Sequence, residues 1–199
     1  MRKIVVHMQS TLDNRISDAR GLFWEPFPWG DDEQTYVNEA FRAADTWVLT
    51  RPMYEAIVPW WDAVAAGHLP ADAPDITPAV AAFADLQHQM TKIVISNALE
   101  PTDARRVLSG DLATELRSLK GEEGHDILLS CGPGTLGPIA STPGLVDEYV
   151  IAVHPAVITN GPRMFDHLTS DLALDLVEAR VFDAGAVVLR YRVLGAQDT

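Results

Sequence analysis

The chain has 199 residues, of which 47% are hydrophobic and 22% charged, and this mixture is typical of a globular domain. Its 15 basic and 28 acidic residues give a formal net charge of −13. An acidic surface repels phosphate backbones, so we expect no nucleic-acid partner. The single cysteine, Cys131, excludes an internal disulfide and a cysteine-based metal site, and it is consistent with a cytoplasmic protein.

The first half of the chain predicts strands that alternate with helices. Short runs rich in β-branched residues predict buried strands, and apolar residues that recur every three or four positions predict helices. The predicted strands are 3–8, 46–50 and 92–96, and the predicted helices are 32–44, 53–64 (interrupted at Pro59) and 78–89. All apolar runs are of strand length, so we expect no membrane-spanning segment.

The second half continues the alternation and then changes. We predict helices over 111–120 and 135–141, strands over 126–130 and 146–153, and a hairpin formed by 172–182 and 186–193 around a glycine turn. Alternating strands and helices indicate a largely parallel sheet covered on both faces. The predicted fold is therefore a three-layer αβα sandwich with an antiparallel hairpin at the sheet edge, and we interpret residues 1–199 as one domain.

An irregular stretch over 16–32 carries Trp24, Phe27 and Trp29 among prolines and glycines. Prolines at this density exclude a helix interior, and the large rings need a surface on which to pack. This loop either covers an edge of the core or forms the wall of a ligand pocket or of a dimer surface.

Three strand-to-helix junctions carry candidate binding residues. After the strand 126–130, glycines separate the strand from the next helix, an arrangement that presents backbone N–H groups to phosphate but also serves as a plain connection. The other two junctions follow the strands 46–50 and 92–96. Ligands of open α/β sheets bind beyond the carboxyl ends of the strands, so three such junctions favour a shared crevice.

Several segments, in order along nearly the whole chain, resemble the dihydrofolate-reductase-like superfamily, and most closely the C-terminal reductase domain of bifunctional riboflavin-biosynthesis proteins. The matching segments are 8–14 (MQSTLDN), 50–55 (TRPMYE), 92–96 (KIVIS), 119–120 (LK), 126–132 (DILLSCG), 144–148 (GLVDE) and 155–165 (PAVITNGPRMF). The resemblance implies a mixed eight-stranded sheet, NADPH as cofactor, hydride transfer to a small substrate, and pairing into homodimers.

The resemblance also implies roles for particular residues. The cofactor-binding residues would be Thr50, Arg51, Pro52 and Met53 for the phosphates, Ser96 and Asn97 near the adenosine 2′-phosphate, and Cys131, Gly132, Pro133, Gly134, Thr135 and Leu136 beside the pyrophosphate and nicotinamide. Asp13 would lie near the nicotinamide or the substrate as the catalytic candidate, and Trp24 and Phe27 would form the wall of the substrate pocket.

The remaining acidic and sulfur-bearing residues have competing interpretations. Asp13 is either a turn-capping residue or a ligand-contacting one. On the first helix, Asp32 and Glu33 are assigned to the helix start, where negative charge is favourable. Cys131 is a buried inert thiol rather than a nucleophile. The six histidines lack the spacing of metal ligands, so we expect no metal.

The leading hypothesis is an NADPH-dependent reductase of a small heterocyclic or ribosylaminopyrimidine-like substrate, resembling 5-amino-6-(5-phosphoribosylamino)uracil reductase. Thr50, Met53 and Cys131 stand where the related domains carry other residues. The alternative is therefore a non-catalytic dimeric nucleotide-binding module or a degenerate member of the family.

Overall fold

One mixed sheet of eight strands organises the chain. The computed structural model describes residues 1–22, 27, 29–69, 75–103 and 105–195. The strands are β1 (Ile4–Thr11), β2 (Ala44–Thr50), β3 (Thr91–Ile95), β4 (Arg106–Leu108), β5 (Asp126–Ser130), β6 (Glu148–His154), β7 (Leu174–Val181) and β8 (Val187–Val193). Their order across the sheet is β4-β3-β2-β5-β1-β6-β8-β7. All neighbours are parallel except β6 with β8 and β8 with β7, which confirms the predicted α/β fold and its closing hairpin.

Helices lie on both faces of this sheet. They are α1 (Asp31–Arg42), α2 (Arg51–Ala65), α3 (Pro78–Gln89), α4 (Leu112–Gly121) and α5 (Pro133–Ala140). One apolar cluster joins α1, α2 and α3 to the sheet through rings such as Phe41, Trp47 and Phe83. A second cluster joins α4 and α5 to the other face through Leu116 and Leu136. These are the two outer layers of the predicted sandwich.

The central strands are apolar at successive positions because both of their faces are covered. In β5, Ile127, Leu128 and Leu129 are each at most 2% exposed, although neighbouring side chains point to opposite faces. A strand buried on both sides lacks the polar alternation of a half-exposed strand. This is why the run 126–130 predicts a central strand.

The carboxyl ends of the parallel strands meet at one edge of the sheet. Thr50 pairs with Ile95, Leu49 pairs with Ser130, and Thr11 pairs with His154. Helices α2 and α5 begin directly after β2 and β5 at this edge. The edge, called here the carboxyl edge, therefore gathers the junctions that the sequence singled out.

One local prediction was wrong, and one strand was missed. Helix α2 continues through Pro59, which is exposed, while Val58 and Val64 are buried on its inner side. Packing of the inner side outweighs the loss of one backbone N–H. Strand β4 was not predicted, because a segment of three residues shows too little periodicity. Only its pairing with β3 defines it as a strand.

Within the described ranges, no helix has the length and apolar character needed to cross a membrane.

Candidate active site

The three predicted junctions adjoin at the carboxyl edge. Strands β3, β2 and β5 are neighbours in the sheet, and neighbouring strands lie about 4.8 Å apart. The pairing of Thr50 with Ile95 and of Leu49 with Ser130 places the following residues, Arg51, Ser96 and Cys131, side by side. The structure thus brings these predicted residues together, as a shared crevice requires.

The helices that start at this crevice have unblocked amino termini. Thr50 precedes α2 and Gly132 precedes α5; neither supplies a side-chain cap, and neither helix has an acidic residue in its first turn. By contrast, Thr77 and Asp111 cap α3 and α4 through their side chains. Backbone N–H groups at an uncapped helix start attract anions.

The glycines before and in α5 keep this helix start accessible. A Cβ placed on Gly132 or Gly134 would meet no atom within 4 Å. Any larger side chain would occupy the space directly above the backbone. The geometry therefore fits the approach of a phosphate group to the turn after β5.

Not every predicted cofactor-binding residue offers its side chain to the crevice. Cys131 and Leu136 are 0% exposed within the apolar core, and the N–H of Leu136 donates to the Gly132 carbonyl. Burial raises the pKa of the Cys131 thiol to about 12, as expected for an inert thiol. At these two positions only backbone groups can face a ligand, and a side-chain role is excluded.

The polar residues of the other two junctions are tied to their own loops. Ser96 Oγ accepts hydrogen bonds from the N–H groups of Ala98 and Leu99, both at 3.1 Å. Asn97 is exposed, and Arg51 forms an exposed ion pair with Glu55 at 2.7 Å. An exposed ion pair of this kind is weak, so the guanidinium of Arg51 can exchange partners at little cost.

The most unusual side chain of this edge is Glu33, which the sequence analysis assigned to the helix start. Asp32 does have that role, since its carboxylate accepts from the N–H groups of Glu33 and Asp183, both at 2.9 Å. Glu33 instead is 0% exposed, and among the described residues neither of its carboxylate oxygens has a hydrogen-bond partner. Glu33 does lie in the first turn of α1, as expected, but its carboxyl points into the buried side of the helix.

Burial controls the protonation of Glu33. Desolvation, and secondarily the charge of Asp32, raises the pKa of this carboxyl to about 7. The sequence did contain a signal: Glu33, Val37 and Phe41 recur at every fourth position and share the inner face of α1. An acidic residue on an apolar helix face is a candidate for function.

A buried histidine lies opposite Glu33. His154 is 0% exposed at the carboxyl end of β6, and its Nε2 lies 3.5 Å from Glu33 Oε1. The rings of Phe27 and Trp29 pack on the imidazole with centroid distances of 4.8 and 5.6 Å. Phe27 therefore lies beside the acid–imidazole pair, while Trp24, the other predicted wall residue, is outside the described residues.

Strand β1 adds two polar side chains to the same face of the sheet. His7 contacts the ring of Phe41 on α1, and burial lowers the pKa of its imidazole to about 4. Gln9, two residues further, shares this face by strand alternation, and its buried Oε1 lacks a hydrogen-bond partner among the described residues.

In the part of the chain that the structure describes, no group of three or more His, Cys, Asp or Glu side chains is arranged to hold a metal ion.

Asp13 lies in the turn after β1, where its carboxylate joins two loops. It accepts hydrogen bonds from Thr11 Oγ1 at 2.7 Å, Arg15 Nε at 2.9 Å and the N–H of Ile158 at 3.3 Å. These bonds lower the pKa of Asp13, the bond from Thr11 most. They support the turn-capping interpretation, and the catalytic role of Asp13 stays a prediction.

We expect Asp13→Asn to lower the melting temperature at pH 7. The depressed pKa means that the carboxylate stabilises the fold above its ordinary pKa of 3.8 and loses this effect as the pH falls through the lowered value. Thermal melts of both proteins from pH 7 down to pH 2.5 should therefore converge at the acidic end. Equal melting temperatures at pH 7 would show that the turn does not depend on this charge.

Comparison with known proteins gives one curated relative. The uncharacterized protein YyaP of Bacillus subtilis strain 168 is 30% identical over 107 residues, which are 53% of this chain and 56% of the relative. The match thus spans only about half the length of that protein.

Two solved structures share the fold over almost the whole chain. A putative riboflavin biosynthesis protein from Shewanella sp. PV-4 has a TM-score of 0.70 at 20% identity and covers 98% of this chain and 99% of its own. Dihydrofolate reductase from Enterococcus faecalis, complexed with NADP(H) and RAB-propyl, has a TM-score of 0.60 at 14% identity and covers 96% of each chain. At these identities the likeness establishes the dihydrofolate-reductase fold.

The sequence match to a family is equally extensive. The RibD C-terminal domain matches residues 2–188, nearly the full length of the chain. Fold, strand order and sequence agree, and the chain therefore belongs to the RibD C-terminal domain family, a family of reductase domains.

Proposed function

We propose that this protein is an NADPH-dependent reductase of a small, flat, nitrogen-rich heterocycle, such as a ribosylaminopyrimidine. The observation that carries the proposal is Glu33, a fully buried carboxyl with no hydrogen-bond partner among the described residues. It lies on the carboxyl edge that also holds two uncapped helix starts. Buried polar groups are normally hydrogen-bonded, so a carboxyl that has no hydrogen bond among the described residues, beside two uncapped helix starts, supports a ligand site here.

The carboxyl edge offers the groups that a dinucleotide needs. The first turns of α2 and α5 would offer N–H groups to the phosphates through Arg51, Met53 and Gly134, and Ser96 and Asn97 at the neighbouring strand end would take the adenosine 2′-phosphate. When bound, the nicotinamide supplies the hydride. The dihydrofolate reductase of the same fold was solved with NADP(H), which supports the choice of cofactor.

The buried acceptors support the proposed substrate class. Glu33 presents two carboxylate oxygens and Gln9 one amide oxygen without donors. Leaving such acceptors unpaired costs about 1–3 kcal/mol each, so a matching ligand brings N–H donors. An amino-substituted pyrimidine or pterin ring has donors along one edge, and the rings of Phe27 and Trp29 suit a flat molecule.

Glu33 is also suited to hold the proton that the reaction consumes. Reduction of a C=N bond adds a hydride to carbon and a proton to nitrogen. With its pKa near 7, the Glu33 carboxyl is partly protonated at neutral pH and can donate from either Oε to the nitrogen of the C=N bond that is reduced. His154 Nε2 lies 3.5 Å from Glu33 Oε1, and both side chains are 0% exposed.

Titration of the purified protein with NADPH and NADH tests the cofactor site. Gly134→Asp places a negative charge in the first turn of α5, where it favours the helix but repels phosphate, so we expect the dissociation constant for NADPH to rise at least about tenfold. Gly121→Asp, at the end of α4, makes the same change of charge away from the crevice and should leave NADPH binding unaltered.

The same titration separates the alternatives. If the unaltered protein binds neither nucleotide at millimolar concentration, the degenerate interpretation is correct and the reductase proposal fails. If it binds NADPH but reduces none of a panel of pterins and aminopyrimidines, the protein is a nucleotide-binding module.

A further inference from the structure

The contact between Glu33 and His154 joins helix α1 to the carboxyl end of β6. The two side chains meet at 3.5 Å, between Oε1 and Nε2, and neither has any exposed surface. Among the described residues, neither oxygen of Glu33 has a hydrogen bond. A charge-assisted hydrogen bond is shorter, at about 2.7–2.9 Å. The longer contact therefore fits a Glu33 carboxyl that still holds its proton.

The surroundings of His154 hold its imidazole in place. The parallel register pairs His154 with Thr11 of β1, which fixes the backbone from which the side chain projects. The rings of Phe27 and Trp29 pack on the imidazole with interplanar angles of 31° and 59°. A close-packed ring has little freedom to rotate, so Nε2 stays directed at the carboxyl of Glu33.

The other titratable groups around this contact do not balance a negative charge on Glu33. After desolvation, the like charge of Asp32 on α1 is the second cause that raises the pKa of Glu33. On β1, burial lowers the pKa of His7 to about 4, so its imidazole is neutral at pH 7. At the hairpin turn, the carboxylate of Asp183 is exposed. The N–H of Asp183, and less strongly the charge of Arg180, act on Asp32 and lower its pKa.

We propose that His154 is the positioning residue for the proton donor, and that its Nε2–H donates to Glu33 Oε1 once this carboxyl has given up its proton. The inference rests on the proposed function, in which Glu33 supplies the proton to the nitrogen of a C=N bond. In that step the O–H bond of Glu33 breaks and an N–H bond forms on the substrate, while His154 keeps its own proton. The new hydrogen bond stabilises the carboxylate, because a buried charge without enough donors is unfavourable.

This role requires the tautomer of His154 in which Nε2 carries the proton, since a neutral imidazole has only one N–H. The imidazole acts through that N–H and not through a positive charge, so a neutral amide can replace it. Glutamine supplies an N–H donor without a titratable ring, whereas phenylalanine supplies a ring without a donor. The two substitutions therefore separate hydrogen bonding from charge and from packing.

Reductase kinetics of His154→Phe and His154→Gln test the role. Without the donor, kcat should fall about 10–100-fold, the usual value of a hydrogen bond to a charged group, with KM little changed. The carboxylate is also harder to form, so the alkaline limb of the kcat profile should move up by about 1–2 pH units in His154→Phe. His154→Gln should recover most of both effects, and His68→Phe, at an exposed histidine, should show neither. A folded His154→Gln that behaves like His154→Phe would overturn the proposal.

Thermal melts test the same contact without a substrate. The unaltered protein loses the stability linked to the Glu33 proton as the pH rises from 4.5 to about 7. In His154→Phe, compared with the double variant His154→Phe, Glu33→Gln, this loss should continue for about 1–2 pH units more. This shift in a protein without reductase activity would support the hydrogen bond and contradict the proposed function. Activity without the shift would contradict the role of His154 alone.

Nuclear magnetic resonance of the unaltered protein covers the case in which the His154 variants misfold. The ring N–H of a fully buried histidine exchanges slowly with water, so the Nε2 proton of His154 should give a visible signal. Its chemical shift should change with a midpoint near pH 7 as Glu33 ionises, and Glu33→Gln should remove this change. An Nε2 without a proton above pH 7, or the same pH dependence in Glu33→Gln, would overturn the proposal.

Discussion

Replacing Glu33 with glutamine is expected to stabilise the protein above pH 7 and to abolish most of the reductase activity proposed above. The buried carboxyl has a pKa of about 7 in the folded protein, against 4.5 for an unperturbed glutamate. The folded state therefore binds the proton more tightly than the unfolded state does. The stability associated with this proton is fully present below pH 4.5 and is lost as the pH rises through 7.

The size of the pKa shift of Glu33 determines how much glutamine is expected to stabilise the protein. The difference between the two pKa values corresponds to a loss of up to about 3 kcal/mol in the free energy of unfolding of the unaltered protein at pH 8. The glutamine variant avoids this loss because its side chain has no proton to release. In a domain of this size that amounts to roughly 6–12 °C in melting temperature. Melts of Glu33→Gln and the unaltered protein should coincide near pH 4.5 and separate steadily up to pH 8.

The activity of Glu33→Gln should fall although its stability rises. Loss of a positioned proton donor typically lowers the rate by about 10²–10⁴-fold, and we expect kcat to fall within that range. Glu39→Gln, an exposed carboxylate on the same helix, is the control for both measurements. Parallel pH profiles of stability for Glu33→Gln and the unaltered protein would show that Glu33 is not a desolvated acid. A variant that is stabilised but fully active would show that it is not the proton donor.

The elements that local chemistry defines were predicted from the sequence with their observed bounds. The helix 78–89 begins at Pro78, a favoured first helical residue, after Thr77, whose Oγ1 accepts from the N–H of Val80. The strand 126–130 is a continuous apolar run that ends before Gly132. In both elements, the residues that determine where the element begins and ends lie within a few positions of each other along the chain.

The candidate site depends instead on contacts between distant segments. Asp32 and Glu33 differ by one position on α1, and the four-residue spacing of Glu33 with Val37 and Phe41 puts only Glu33 on the inner face. This spacing does not show what the carboxyl of Glu33 faces, which is His154, brought opposite it by the strand order of the sheet. Similarly, the side chains of Cys131 and Leu136 belong to the core because α5 packs over the sheet there.

Helix α5 illustrates how packing positions the crevice. Gly137 lies where the helix presses on the chain at His167: a Cβ at this glycine would lie 2.2 Å from the His167 carbonyl oxygen and 2.6 Å from its carbonyl carbon. Both are backbone atoms, which cannot move aside as a flexible side chain can. The absence of a side chain at Gly137 thus fixes the depth at which α5, and with it the turn at Gly132, sits on the sheet.

We therefore expect Gly137→Ala to destabilise the fold by about 1–3 kcal/mol, the usual cost of overpacking, and to weaken NADPH binding as the helix start moves. Gly134→Ala makes the same substitution one turn earlier in the same helix, where a Cβ meets nothing within 4 Å. There alanine's helix propensity should stabilise the protein by up to about 1 kcal/mol. Urea unfolding of the two variants measures the difference directly. Helix propensity favours alanine at both positions. Only the contact with His167 can therefore give the two variants changes of opposite sign in the free energy of unfolding. A stabilised Gly137→Ala would mean that α5 is free to shift without cost.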